Sequence, residues 1–509
     1  MKKIAVILYG SLCLITTQCN LRPDEKVQAE PTPVVICFDV EDYTSPESVG
    51  MDDIPKWLAE IMTEEGVTGT FFLIGEKARM MERRGRSDVI RAMARHDIGS
   101  HTNYGSIHPT VTEILEHASW EEGMEIMLEN EGKGIDELER IYGQRPANLA
   151  RHGGSYGPQL AAALGQLDAG YVYSPVGLPG HNVVWFCNTL NFHGEGDFGF
   201  FDDAYYRDDL FDPMLEALDS LIPAQTKDID MVAFFACHPS KVRSIQFWDF
   251  NYYKGANPAP EEWKTPELRP LESMETAQKN FRRLVRYLGD RDDIELTTYR
   301  ELADRFSYQR DSIGQLDLEK IAHKVLEEQK LFIDTYYSPA EYFAALASML
   351  IIHHQTGDMP SKVKVERPYG PLEMPPRETQ INEVAAETVL QLAEEVQQVI
   401  NETGHLPASV SADGEKIGTG SLLALFCNYF LQANSGNVPD KLALIPMEPY
   451  PSENEEQIIR EVASCKSWPV HREDLDMSHL TEMTRLQLWT LKPASESQSS
   501  EEPKILAEL

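Results

Sequence analysis

The chain is short of basic residues. Lys and Arg number 46 against 82 Asp and Glu in 509 residues, a formal net charge of −36 with His neutral. Neutralising phosphates takes a concentrated basic face, which argues against nucleic acid as a partner and against docking to anionic lipid by charge. A neutral or cationic partner suits such a surface better. Cysteine is scarce as well: seven stand at positions 13, 19, 37, 187, 237, 427 and 465, and the last five include no CxxC or other close pair. A metal site built from cysteine is therefore not expected. Cys37 and Cys237 lie inside apolar runs, where a small buried thiol is the usual outcome. Long apolar runs are missing too, since none exceeds the 12 residues of Ile4 to Ile15, well short of the ~20 a spanning helix needs. With 42% hydrophobic and 25% charged residues, wholesale disorder is out, and the length suits two or three domains.

What is present begins with a basic start, Met1-Lys2-Lys3, followed by that apolar run. This pattern is expected of an export signal over residues 1–19. It ends at Leu14-Ile15-Thr16-Thr17-Gln18-Cys19, similar to a bacterial lipoprotein cleavage site with Cys19 as the lipidated residue, although Gln18 departs from the usual small residue. The expected location is periplasmic or cell-surface, with membrane anchoring through Cys19 as an option. A polar linker over residues 20–33 follows.

Apolar runs then alternate with helical periodicity. Val34-Val35-Ile36-Cys37-Phe38, Gly69-Thr70-Phe71-Phe72, Ile98-Gly99-Ser100, Val232 to Cys237 and Ile294 to Thr298 read as strands, with helices over 54–65, 88–96, 113–142, 275–288 and 299–306. Strands alternating with helices predict an α/β barrel over 34–308, with chemistry gathered where strands end. Beyond residue 310 the texture turns to Leu-, Ala- and Glu-rich helices. Glu341 to Leu346 and Gly420 to Leu425 match at an offset of 79 residues, and each leads to a glycine turn, a proline and later a Pro-Tyr pair. A mostly α-helical repeat domain over 315–490 is expected. A Ser- and Glu-rich tail, 491–509, is expected to be mobile.

Four strand ends carry polar groups of complementary type. Asp39-Val40-Glu41-Asp42 places three carboxylates after a buried strand, which is costly unless they are solvated, paired or bound to a cation. His101 and His108 follow the strand ending at Ser100. Carboxylate plus imidazole suits Zn²⁺ or a similar divalent ion with an open position for water. Arg151 precedes a glycine-rich turn, His152-Gly153-Gly154-Ser155-Tyr156-Gly157, and could orient a carboxylate. His238 closes the strand from Val232. Beyond it, Phe247 to Pro258 is rich in aromatics and amides, so Trp248, Asn251 and Asn257 suit a sugar subsite, as does Tyr156.

In order and spacing these pieces resemble the polysaccharide deacetylase family with its NodB-homology fold, a distorted (β/α) barrel, over roughly residues 32 to 306. The resemblance implies hydrolysis of an N-acetyl group on an amino-sugar polysaccharide or cell-wall glycan, with a divalent metal, Zn²⁺ first among them. It implies Asp39 as general base, Glu41 or Asp42 with His101 as metal ligands, Arg151 orienting the base and His238 as the acid. The family's histidine pair stands four apart, and here that position is Gly105. His108 lies seven after His101 and ligates only if the loop curls back. The aspartate expected to tune the acid histidine is also displaced: Tyr173-Ser174-Pro175 stands there, leaving Asp197 or Asp202. In the repeat domain, Thr403-Gly404-His405-Leu406-Pro407 before the helix at Ser421 resembles a pseudomurein-binding repeat, which implies cell-wall binding. Packing or dimerisation is the alternative for that domain. The rival readings of the whole are a carbohydrate-binding protein that has lost turnover, or a metal-independent hydrolase of non-peptide C–N bonds.

Overall fold

The computed structural model describes residues 31–194, 202–222 and 232–496. The expected N-terminal signal with Cys19, Asp197 and most of the Ser- and Glu-rich tail lie outside these.

The strand β1 (Thr32–Val40) organises the barrel. Its side chains alternate by the period of two: Val34, Ile36, Phe38 and Val40 pack outward against helices, whereas Val35 and Cys37 point to the interior cluster. Parallel neighbours follow in chain order as β2 (Thr70–Leu73), β3 (Asp97–Ser100), β4 (Asn148–Ala150) and β5 (Gly170–Ser174). The order then departs from a simple barrel. A hairpin, β6 (Val183–Phe186) and β7 (Thr189–His193), places β7 beside β5 and β6 beyond it. β8 (Val232–Cys237) and β9 (Ile294–Thr297) both join β1 in parallel. Val34 pairs with both β8 and β9, and Cys37 with both β8 and β2, so β2 and β9 share one edge of β1 and β8 takes the other. The result is an open, distorted (β/α) barrel, as expected from the alternation. Helices cover its outer face, among them Asp53–Glu64 and Glu272–Gly289, which pack on each other and carry apolar stripes into the same core.

The repeat expected after residue 310 is present as two strand–helix–helix–strand halves. In the first, β10 (Ser312–Gly314) pairs antiparallel with β11 (Lys362–Lys364) and encloses the helices Gln315–Glu328 and Pro339–Thr356. In the second, β12 (Glu383–Ala385) pairs with a strand at Lys441–Ala443 and encloses Ala386–Thr403 and Thr419–Asn434, with a hairpin of β13 (Ser409–Ala412) and β14 (Glu415–Gly418) between them. The halves exchange partners: Gln315–Glu328 packs on Thr419–Asn434, and Pro339–Thr356 on Ala386–Thr403. One apolar cluster runs through both, with Phe343 stacked on Phe426.

After the second half the chain returns to the barrel. Helices Glu455–Ser464 and Ser478–Gln487 contribute Ile458, Val462, Leu480 and Met483 to the same apolar cluster as Leu115, Leu160 and Tyr171. The Lys441–Ala443 strand is β15, and a final short strand, β16 (Lys492–Pro493), pairs antiparallel with β6 and ends the sheet. Lys492 is buried there and pairs with Glu341, which also caps the repeat helix that starts at Pro339. No helix among the described residues is long and apolar enough to cross a membrane.

Candidate active site

The alternation along β1 decides which acids face inward. Asp39 continues the Val35 and Cys37 face, and Glu41 extends it one step past the strand end. Asp42 falls on the other side. There its Oδ1 accepts from the Thr44 N–H, the Thr44 hydroxyl and the Ser45 N–H, closing the turn, while its carbonyl accepts from the buried Lys77. Lys77 in turn pairs with buried Asp52.

Glu41 is the hub. Its Oε1 lies 3.0 Å from His101 Nε2 and 3.2 Å from His152 Nδ1, and its Oε2 accepts the Trp248 indole N–H at 2.8 Å. All four side chains are buried. His101 Nδ1 is 3.1 Å from the Ala150 carbonyl, which can only accept, so the proton sits on Nδ1. Its Nε2 therefore faces a carboxylate oxygen and needs a proton or a cation between them. His152 Nε2 meets Ser106 Oγ at 3.0 Å, while Nδ1 has no hydrogen bond despite its closeness to Glu41. Asp39 Oδ1 is likewise buried without a partner. Glu41, His101 and His152 place one ligand atom each within 4.8 Å of one another, as do Asp39, Glu41 and His238. This donor set, two imidazoles and carboxylate with orphaned atoms beside them, fits a divalent cation.

Asp39 and His238 stand next to each other in this cluster. Asp39 Oδ2 is 3.6 Å from His101 Nε2 and 3.9 Å from His238 Nε2. His238 is fixed by Asp202, whose Oδ1 accepts the His238 backbone N–H at 2.7 Å and whose Oδ2 accepts the Nδ1–H at 2.8 Å. Burial opposes charge on His238, but Asp202, Glu41 and Asp39 outweigh it and raise it to about 10. Burial raises the Asp39 carboxyl to about 6 against the pull of His101 and His238. Burial also works against ionised Glu41, but the hydrogen bond from His101 and the neighbouring His152 and His238 hold it well below the usual carboxylate range. Asp39 and His238, both raised, thus stand side by side in the cluster.

Of the residues singled out from sequence, Asp39, Glu41, His101, His238 and Trp248 come together. The others do not join them. His108 turns away, with Nδ1 2.7 Å from Glu113 and Nε2 3.1 Å from the Tyr252 carbonyl. The Arg151 guanidinium donates to Cys465 Sγ at 3.0 Å rather than to Asp39. Tyr156 is fully buried on Thr484. Asn251 ties its own loop together through Trp248 and Lys264, and Asn257 donates to the His108 carbonyl. A second imidazole beside Glu41 comes instead from His152, which the sequence reading did not single out. It stands one residue beyond Arg151 at the end of β4, and a histidine at a strand end was the available signal. Asp202 was one of two alternatives, and Asp249 and Trp468 carried no signal that placed them here.

No protein-family model matches the chain, and no curated protein matches it. Solved structures do, at low identity. They include the peptidoglycan deacetylase PdaC from Bacillus subtilis (12% identity, 59% of this chain and 97% of that one, TM-score 0.29). They also include BA3943, a carbohydrate esterase family 4 pseudoenzyme from Bacillus anthracis (13%, 42% and 57%, TM-score 0.25). A third is the Puue allantoinase (13%, 58% and 97%, TM-score 0.35).

Proposed function

We propose that this chain is a metal-dependent hydrolase that removes N-acetyl groups from an amino-sugar polysaccharide or cell-wall glycan. The observation that carries this reading is the gathering of Asp39, Glu41, His101, His152 and His238 at the strand ends, with Asp39 Oδ2 3.6 Å from His101 Nε2 and 3.9 Å from His238 Nε2. Glu41, His101 and His152 would hold the ion. A bound divalent ion supplies polarisation of the amide carbonyl and a lowered pKa for water. Asp39 then takes the proton of the attacking water, as its raised carboxyl suits. His238, kept protonated by Asp202, gives a proton to the amine as the C–N bond breaks. Acetate and a free amino sugar leave.

The test is acetate release from N-acetylated chito-oligosaccharide and from peptidoglycan. Asp39→Asn and His238→Ala should each lower kcat by about 10²- to 10⁴-fold. Retention of full turnover in both would end this mechanism. One observation favours a second reading. Glu41 is already hydrogen-bonded to His101 and Trp248, so a protonated His101 could balance it in a metal-independent C–N hydrolase. Chelator treatment separates the two, abolishing turnover in the first and sparing it in the second. The basic start and apolar run at the N-terminus support export, with a glycan partner outside the cytoplasm, and Cys19→Ser would release the protein from membranes if that residue is lipidated.

A further inference from the structure

His152 is gripped from a distant part of the chain. The segment after Glu455–Ser464 passes directly over the glycines that follow it. The Trp468 ring meets the His152 ring edge-on with centroids 5.0 Å apart, and Trp248 lies on another side of the imidazole at 6.2 Å. The indole N–H of Trp468 donates to buried Asp249 at 3.3 Å. Backbone bonds anchor the segment on both sides, from Lys254 N to the Pro469 carbonyl at 2.8 Å and from Gly255 N to the Val470 carbonyl at 3.0 Å. Val470 is buried among Tyr43, Trp248 and Tyr252. Further on, the Arg472 N–H reaches Glu113 and the Asp476 N–H reaches Glu116.

The approach is too close for any side chain on the barrel loop. A Cβ on Gly153 would stand 2.2 Å from Trp468 Cε2, and one on Gly154 would stand 2.2 Å from the Cys465 carbonyl. Gly153 also holds a φ of +51°, in the left-handed region. The pair of glycines after His152 therefore serves contact with the segment, not flexibility.

Resting on the metal-dependent reading above, we propose that Trp468 is a positioning residue for the cation site: residues 465–472 lock the His152 imidazole in the ligating orientation. His152 has only Ser106 as a hydrogen-bond partner on its far nitrogen, so ring packing must supply the rest of its orientation. The barrel alone is then an incomplete catalyst, completed by a segment more than 300 residues downstream of its ligand.

The experiment is titration of the chelator-stripped full chain with Zn²⁺ in competition with a chromophoric chelator, and with Co²⁺ followed by its visible spectrum. Trp468→Ala should weaken affinity by about 10- to 100-fold and alter the Co²⁺ spectrum, while Trp468→Phe, which keeps an aromatic edge, stays within about threefold of wild type. Asp249→Ala, which frees the indole without removing it, should fall between the two and serves if Trp468→Ala does not fold by circular dichroism. Wild-type affinity and spectrum in folded Trp468→Ala, or in Asp249→Ala where the former is unfolded, would overturn the inference and leave the metal reading standing. Absence of tight binding in the wild-type chain would overturn the metal reading first, and this inference with it.

Discussion

Asp202 holds both the backbone N–H and the ring of His238, so its effect on acid strength can be isolated. In Asp202→Asn the charge that raises His238 is gone, so the histidine loses its proton at lower pH. The alkaline limb of kcat/KM should move to lower pH, and the acidic limb set by Asp39 should move much less, since Asp202 is the smallest of the charges acting on Asp39. A second residue reports on stability. Glu131 is fully buried with Asn103 N–H as its partner, and burial raises its carboxyl to about 7. The folded state thus holds this proton more tightly than the unfolded chain. Its contribution favours folding at low pH, declines from about pH 4.5, and is lost by about pH 7 at a cost of the order of 3 kcal/mol. Urea melts of Glu131→Gln across that window should lack this part of the slope. At this scale the sequence carried more than was extracted from it. Counting by twos from Val35 places Asp39 and Glu41 on one face and Asp42 on the other, which is where the structure puts them. His152 was visible only as the neighbour of Arg151, because nothing local says which of two adjacent polar side chains turns inward.

The turn after β1 depends on a helix that contributes nothing to the chemistry directly. Lys77, on the helix Gly75–Arg83, is buried between the Asp42 carbonyl and Asp52, with Arg84 also on Asp52. Lys77→Met leaves the carbonyl unpaired and Asp52 with half its partners. A loss of about 2–4 kcal/mol is expected in chemical denaturation, together with weaker cation binding, since Glu41 sits on the turn that Lys77 holds. The elements themselves were legible where their signal is local. β1, β2 and the alternation of strands with helices follow from apolar runs and periodicity. The β6–β7 hairpin was not anticipated, because its Cys187-Asn188 turn adopts positive φ at two residues without glycine. The two-halved repeat was readable from its offset. The crosswise exchange of helices between halves was not, since each helix is apolar enough to pack on several partners.

Across the whole molecule, β16 and the ion pair Lys492–Glu341 join the barrel sheet to the repeat. Arg367 also lies 3.2 Å from Glu341 and the Ser338 N–H donates to it, so Lys492→Met leaves that carboxylate two partners of three. The expected loss is about 3 kcal/mol. Its more telling consequence is cooperativity: barrel and repeat should unfold in a single transition in the wild-type chain, seen as coincident fluorescence and circular dichroism curves. Two separated transitions would show that the interface is not what holds them together. No local pattern announces contacts of this kind, because residues such as Trp468 and His152 find each other only after everything between them has folded.

That separation has a bearing on when the protein can first act. Asp39 emerges from the ribosome early, but Trp468 follows about 430 residues later. At roughly 5–20 residues per second, that is an interval of roughly 20–90 s. Throughout it the carboxylates and histidines can gather, yet the imidazole of His152 has only Trp248 and Ser106 to orient it. A nascent or truncated chain should therefore hold a cation less tightly than the finished molecule.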